Sequence, residues 1–272
     1  MTGRRSRPAI AATVASTDSG GGAGIHADLK TFAACGVYGV SVAVALTAQN
    51  TVSVSAVHPL PLEFVREQFE ALDQDLRPAA VKTGMLFSTS HVLEVCSQLR
   101  RRDWGPLVVD PVMVAKSGDR LLDGSAVETL RRQLLPLAKV VTPNWPEAAA
   151  LAGQPVENEA DAVSAGRVIA GLGAEYVVVK GGHAPGQPTD LVVHGDRVIR
   201  LPGSRVQTRH THGTGCTFSA AIAAFLARRL EPEVAIARAK EYVTAALLAA
   251  PGLGSGHGPL EHFPPGWPKR AG

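Results

Sequence analysis

Thr208-Arg209-His210-Thr211-His212-Gly213-Thr214-Gly215-Cys216-Thr217 carries the chain from a polar connector into a long run of small residues. Gly213 and Gly215 permit a sharp turn, so that amides at the start of the following helix converge on an anion. Cys216 then falls in the first helical turn, where unpaired N–H groups and the helix dipole are expected to lower its thiol pKa. The segment reads as a phosphate cradle, Gly213, Thr214 and Gly215, with a reactive side chain, Cys216, at its lip. An isolated Gly-x-Gly-Cys is more often a turn followed by a buried cysteine. The reading therefore rests on what else the chain brings to that place.

Upstream, four β-rich runs deliver a polar residue at their carboxyl ends: Gln49, Asp110, Asn144 and Lys180. Apolar periodicity predicts helices over 25–34, 62–76, 90–101, 125–135 and 159–172, between strands at 9–15, 79–82, 107–109, 139–142 and 176–180. The run 40–49 is long for one strand, and 52–57 alternates as a short extra one. In 62–76, Phe64, Val65, Phe69 and Leu72 are expected to form the buried face. Strands separated by helices make βα crossovers, so the fold class is a three-layer α/β/α sandwich around a central, mostly parallel sheet. A hairpin at 191–193 and 197–201 adds antiparallel strands at one edge. Two alanine-rich helices, 214–229 and 233–250, complete the chain. In such sheets ligands bind outside the strand carboxyl ends, which lets the four polar residues converge.

With 45% hydrophobic and 19% charged residues in 272, the composition is that of a globular protein with a modest charged surface. One domain over 9–263 is expected, with 1–8 as a disordered extension and 264–272 as a flexible tail. The net charge of +3 is spread out, and no basic groove with interleaved aromatics follows Arg4, Arg5 and Arg7, which excludes nucleic acid as a partner. No run has the length of a membrane helix. The three cysteines, Cys35, Cys96 and Cys216, lack metal-ligand spacing, and their odd number fits a reducing cytoplasm better than a disulfide framework.

The glycines at 20–24 miss the dinucleotide fingerprint, and the Walker ending Gly-Lys-Ser or Gly-Lys-Thr is missing. The motifs that are present are Asp18-Ser19-Gly20-Gly21-Gly22-Ala23-Gly24-Ile25 with Ala27-Asp28-Leu29-Lys30; Thr47-Ala48-Gln49-Asn50-Thr51; Lys82-Thr83-Gly84-Met85; Val109-Asp110-Pro111-Val112-Met113 with Lys116-Ser117-Gly118; Thr142-Pro143-Asn144 with Glu147; Lys180-Gly181-Gly182-His183; and Thr211-His212-Gly213-Thr214-Gly215-Cys216. In this order they resemble the hydroxymethylpyrimidine and phosphomethylpyrimidine kinases of the ribokinase-like superfamily, over nearly the whole chain.

The resemblance implies transfer of the γ-phosphate of ATP, with Mg2+, to 4-amino-5-hydroxymethyl-2-methylpyrimidine and then to its monophosphate. It assigns Asp28, Gln49, Met85 and Gly22 to the acceptor, with Asp28 and Gln49 on the aminopyrimidine edge. It gives Asn144, Lys180, His210 and Thr211 to the nucleotide and phosphates, and Asp110 and Glu147 to the metal through water. Cys216 stands where sugar kinases carry an aspartate base, and Lys180 would offset charge on the phosphoryl group. Three residues depart from the family pattern: Ser16 for glycine, His26 for glutamine, expected as a surface change, and His210 for asparagine. Relatives often pair, which makes a homodimer a candidate assembly. A pyridoxal kinase is the alternative, although pyridoxal-specific relatives typically place a second cysteine where this chain has Met85. A catalytically dead binding protein or a thiol-based redox sensor are readings of another class. The first would have lost Cys216, Lys180 or the acidic groups, and all are present.

Overall fold

The computed structural model describes residues 7–113, 124–184 and 186–267. The loop residues Lys116, Ser117, Gly118 and Asp119, most of the expected N-terminal extension and the end of the expected tail lie outside the described residues.

The strands are β1 (Ile10–Ala15), β2 (Tyr38–Ala43), β3 (Ala45–Gln49), β4 (Val54–Pro59), β5 (Ala80–Thr83), β6 (Leu107–Val109), β7 (Ala138–Val141), β8 (Tyr176–Val179), β9 (Asp190–His194) and β10 (Arg197–Leu201). The helices are α1 (Gly24–Ala34), α2 (Leu62–Asp75), α3 (Thr89–Arg100), α4 (Gly124–Thr129), α5 (Trp145–Ala152), α6 (Glu159–Gly171), α7 (Thr214–Ala227) and α8 (Pro232–Leu248). Eight strands form one sheet in the order β10-β9-β8-β7-β6-β5-β1-β2, and β3 and β4 make a separate antiparallel pair. From β2 to β8 the sheet is parallel; β9 and β10 join its other edge antiparallel, as the hairpin pattern predicts. Because β1 lies between β2 and β5, the chain leaves it first toward one edge and later returns on its other side. The loop after β1 therefore opens at a topological switch point, where open sheets bind ligands.

Successive side chains of the inner strands point to opposite faces, and both faces are covered. On one side Ala11, Ala80, Val108, Val140 and Val178 pack against Phe32 of α1 and the buried residues of α7 and α8. On the other, Val14, Val81, Val109, Val141 and Val177 pack against α2 to α6. Each such valine contributes on the order of 1.5–3 kcal/mol by leaving water, which is why these strands read as continuous apolar runs. Every residue of α7 from Thr217 to Ala227 is buried, so it is an interior helix rather than an amphipathic one.

The run 40–49, long for one strand, forms parts of two: Val44 donates to Ala15 O and accepts from Leu60 N–H, the chain bends there, and β3 leaves the main sheet to pair with β4. Two expectations need correction. Phe64 is 49% exposed, because Val65, Phe69 and Leu72 at i, i+4 and i+7 already define the buried stripe of α2 and Phe64 lies a hundred degrees off it. The helix expected over 125–135 is α4 followed by a widened turn, Leu130–Leu134, and a tight one, Leu135–Leu137. Pro136 cannot donate a backbone bond and ends it.

The C-terminal segment returns to the core. Tyr242 donates to His262 O at 2.7 Å, and Trp267 packs on the Tyr242 ring with centroids 5.0 Å apart. His262 is 4% exposed, and burial, with Lys30 nearby, pulls its pKa from 6.5 down to about 4. The unfolded chain therefore binds the extra proton first, and stability falls as pH drops through the window from 6.5 to 4. At pH 5 this one group is expected to remove about 2 kcal/mol relative to pH 8. Urea melts of wild type and His262→Gln at the two pH values check this: the variant is expected to show the smaller difference, and an equal difference would refute the assignment.

Candidate active site

Asp110, Asn144 and Lys180 follow β6, β7 and β8, three neighbouring parallel strands, and so arrive side by side. Asn144 and Lys180 form a parallel bridge just beyond the sheet. Asn144 caps α5 with a capping box: its Oδ1 accepts from Glu147 N–H at 2.9 Å, and Glu147 Oε2 accepts from Asn144 N–H at 2.7 Å. The same Glu147 oxygen lies 3.7 Å from Lys180 Nζ, which donates to Asp110 Oδ1 at 3.2 Å. Asp110 Oδ2 is buried with no partner among the described residues. Burial works against charge on Lys180, but the Asp110 and Glu147 carboxylates outweigh it and hold the ammonium above the ordinary lysine range. Burial, with Asp110 beside it, raises Glu147 to about 7.

The first turn of α7 faces this cluster. A Cβ added to Gly215 would stand 3.2 Å from Lys180 Nζ and 3.7 Å from Asp110 Oδ2. Gly213, at φ 80°, caps the helix in the left-handed region, and a Cβ there would meet Gly22 O at 1.7 Å. Thr217 N–H bonds to Gly213 O, and Thr214 bonds through both N–H and Oγ1 to Thr211 O. The Gly215 and Cys216 amides remain as the turn's donors among the described residues, next to a fixed ammonium.

The other side of the cradle is built by the loop after β1. Asp18, 1% exposed, accepts from the amides of Gly20, Gly22 and Ala23 and lies 2.8 Å from His212 Nε2. These bonds hold its carboxyl below the usual range despite burial. Gly22 has no room for a side chain, since its Cβ would stand 2.6 Å from His212 Cδ2. His26 is exposed on α1, as expected, and its Nδ1 accepts from Asp18 N–H at 3.2 Å. Gln49 reaches the same place from β3, 3.4 Å from His212. Half-buried Met85 follows β5, and Ser16 turns its hydroxyl onto Met85 O at 3.2 Å.

Asp28 is placed differently from the acceptor-edge expectation. It is fully buried, and its carboxylate accepts from Thr13 Oγ1 at 2.6 Å and from Lys82 Nζ at 2.8 and 3.0 Å. Burial works against the Lys82 charge, but Asp28 first and Asp110 after it hold the ammonium above the ordinary range. Lys82 itself carries no role in the sequence reading. Its signal is a lysine between Val81 and Thr83 in a strand buried throughout, which is rare without a paired charge. His210 lies against the C-terminal segment: a Cβ on Gly258 would stand 2.3 Å from its Nδ1, which is buried without a partner among the described residues.

Cys216 overturns an expectation. It is half-buried, and its thiol pKa is pushed up to about 12, not down. Burial dominates and the Asp110 and Asp28 carboxylates add to it, against Lys82 and the Gly24 N–H that bonds the sulfur. The helix terminus is outweighed by burial, to which two carboxylates that the sequence does not show to be near add.

A fixed ammonium, two carboxylates and free helix-start amides at strand ends are the parts of a ribokinase-like phosphotransferase. A family model of phosphomethylpyrimidine kinases matches residues 18–261. The chain belongs to the phosphomethylpyrimidine kinase family. It is 50% identical over 264 residues to a hydroxymethylpyrimidine/phosphomethylpyrimidine kinase of Rhizobium meliloti strain 1021, covering 95% of this chain and 98% of that protein. It is 48% identical over 252 residues, 92% of this chain, to a bifunctional thiamine biosynthesis protein of Geobacter sulfurreducens, of which it spans 51%. Among solved structures, an ADP complex of Bacillus subtilis pyridoxal kinase superposes with a TM-score of 0.88 at 36% identity, covering 94% of this chain and 98% of that one.

Proposed function

We propose that the protein phosphorylates 4-amino-5-hydroxymethyl-2-methylpyrimidine and then its monophosphate, using ATP. The observation that carries this is the meeting of Lys180, Asp110 and Glu147 with the first turn of α7. Phosphoryl transfer is mainly a matter of position and charge, and here an ammonium and two helix amides are fixed before any ligand arrives. The family relation supplies the acceptor class, which suits Gln49, whose amide both donates and accepts. A cleft of about 520 Å³ lined by Val206, Thr208, Thr244, Leu247 and Leu248 opens on the segment that runs into the cradle. Its mixed apolar and hydroxyl lining suits a nucleotide base.

Mg2+ fits the acidic side. Asp110 keeps one buried oxygen unpartnered, Glu147 is close by, and hard oxygens with bound water are this ion's ordinary ligands. Asp110 and Glu147 would hold it, where it supplies further neutralisation of phosphate charge. Free thiols at Cys35, Cys96 and Cys216 go with a reducing, cytoplasmic setting.

With its pKa near 12, Cys216 is a neutral S–H at pH 7. In this reading it only places the acceptor hydroxyl, whose proton passes to an oxygen of the transferring phosphoryl group as the new P–O bond forms. The second acceptor is a phosphate oxygen and has no such proton. Cys216→Ser is expected to slow the first transfer by on the order of tenfold or more and the second by much less. Counting product phosphates separately with hydroxymethylpyrimidine, its monophosphate and pyridoxal, each with Mg-ATP, tests both points. Equal losses in the two steps would remove the special role of Cys216, and preference for pyridoxal would favour the second reading, which the likeness to the pyridoxal kinase supports.

A further inference from the structure

The loop after β1 and the start of α7 meet in one hydrogen-bonded chain, Asp18, His212, Gln49 and Thr47, and its donors and acceptors do not balance in every arrangement. His212 Nε2 stands 2.8 Å from Asp18 Oδ2. That carboxylate accepts only, so His212 must carry its proton on Nε2 and donate it. The same Nε2 lies 3.4 Å from the Gln49 side-chain nitrogen, which is also a donor. At the other end of the amide, Gln49 Oε1 lies 3.3 Å from Thr47 Oγ1, whose one proton has a better acceptor in Thr17 O at 3.0 Å. With its NH2 group toward His212, the amide meets a donor with a donor and an oxygen with an oxygen. Turned end for end, which costs nothing in shape, it relieves both contacts: the NH2 group donates to Thr47 Oγ1, and Oε1 faces the His212 Nε2–H, whose proton goes first to Asp18 Oδ2 and is shared with the amide oxygen as the weaker branch.

We infer that Asp18 and His212 are positioning residues that fix the polarity of the Gln49 amide, and through it which acceptor ring the pocket takes. The pinned amide presents its oxygen on the His212 side and its NH2 on the Thr47 side. A ring edge must answer with a donor on the first side and an acceptor on the second. An exocyclic amino group next to a ring nitrogen does so. A ring that carries a carbonyl beside an N–H offers the reverse order and is rejected. This rests on the acceptor class proposed above. The polarity itself does not, and it is read without substrate.

Nuclear Overhauser contacts in the full-length protein test the polarity directly. The Gln49 NH2 protons are expected to show cross-peaks to Thr47 and none to the His212 ring protons; the opposite pattern would overturn the inference. Kinetics test the consequence by comparing the 4-amino acceptor with its 4-oxo analogue in wild type, His212→Leu and His212→Gln. In His212→Leu the amide is free to turn, and the preference for the amino compound is expected to shrink by roughly tenfold, the weight of about one hydrogen bond. His212→Gln retains a side-chain N–H toward Asp18 and is expected to restore most of the preference. If both acceptors slow equally in His212→Leu, the residue is structural and the specificity role fails. If wild type turns over neither pyrimidine while the amide contacts are as stated, the acceptor class fails and the polarity stands.

Discussion

Replacing Lys180 by methionine is expected to lower kcat by about 10²–10³, the effect of removing one preorganised donor from a site of developing charge. The side chain fills a similar volume, so the change isolates the ammonium. In the folded protein this charge lies 3.2 Å from Asp110 and beside the Gly215 turn, already desolvated and oriented. No reorganisation is needed when charge shifts among the phosphoryl oxygens. Since that charge grows toward the transition state, kcat should fall further than the nucleotide KM rises. A kcat within tenfold of wild type, in a variant with an unchanged circular dichroism spectrum, would take Lys180 out of the chemistry.

Lys82→Met has the largest expected effect on stability, about 3–5 kcal/mol, the cost of leaving a buried carboxylate without its cation. Both members of the Lys82–Asp28 pair are fully buried, one on β5 and the other on α1. Methionine preserves packing but abandons Asp28 with Thr13 as its remaining donor. Pairing Lys82→Met with Asp28→Leu removes both charges and is expected to recover most of the loss, because well-packed apolar groups replace buried ion pairs at little cost. Urea unfolding of the single and double variants measures this. A single variant within about 1 kcal/mol of wild type would show that the carboxyl protonates or finds water instead. The double variant also separates two roles of Asp28: stable but inactive protein would return it to the acceptor site.

Most of the sheet is legible because its strands are buried on both faces and read as unbroken apolar runs, as at Val108, Val140 and Val178. Strand ends are legible too, since Asp110, Asn144 and Lys180 interrupt those runs abruptly. The bend at Val44 is less so: it depends on Ala15 and Leu60, and β3 carries the same residue types whether it continues a sheet or leaves it. Phe64 is misread for a related reason, since a helix offers more apolar residues than one stripe can bury.

By itself, the sequence determined the layered α/β architecture and the glycine cradle at 213–215, because side-chain periodicity and the backbone freedom of glycine are local properties. It also carried, through its motifs, the family to which the chain belongs. Only the tertiary structure decided which polar groups meet: Asp28 with Lys82 across 54 residues, and Asp18 with His212 across 194. A group's protonation depends on the water it loses and the charges packed around it, whatever its neighbours in the chain. That is why the Cys216 thiol, which helix position alone would acidify, is instead held protonated by burial and by two distant carboxylates.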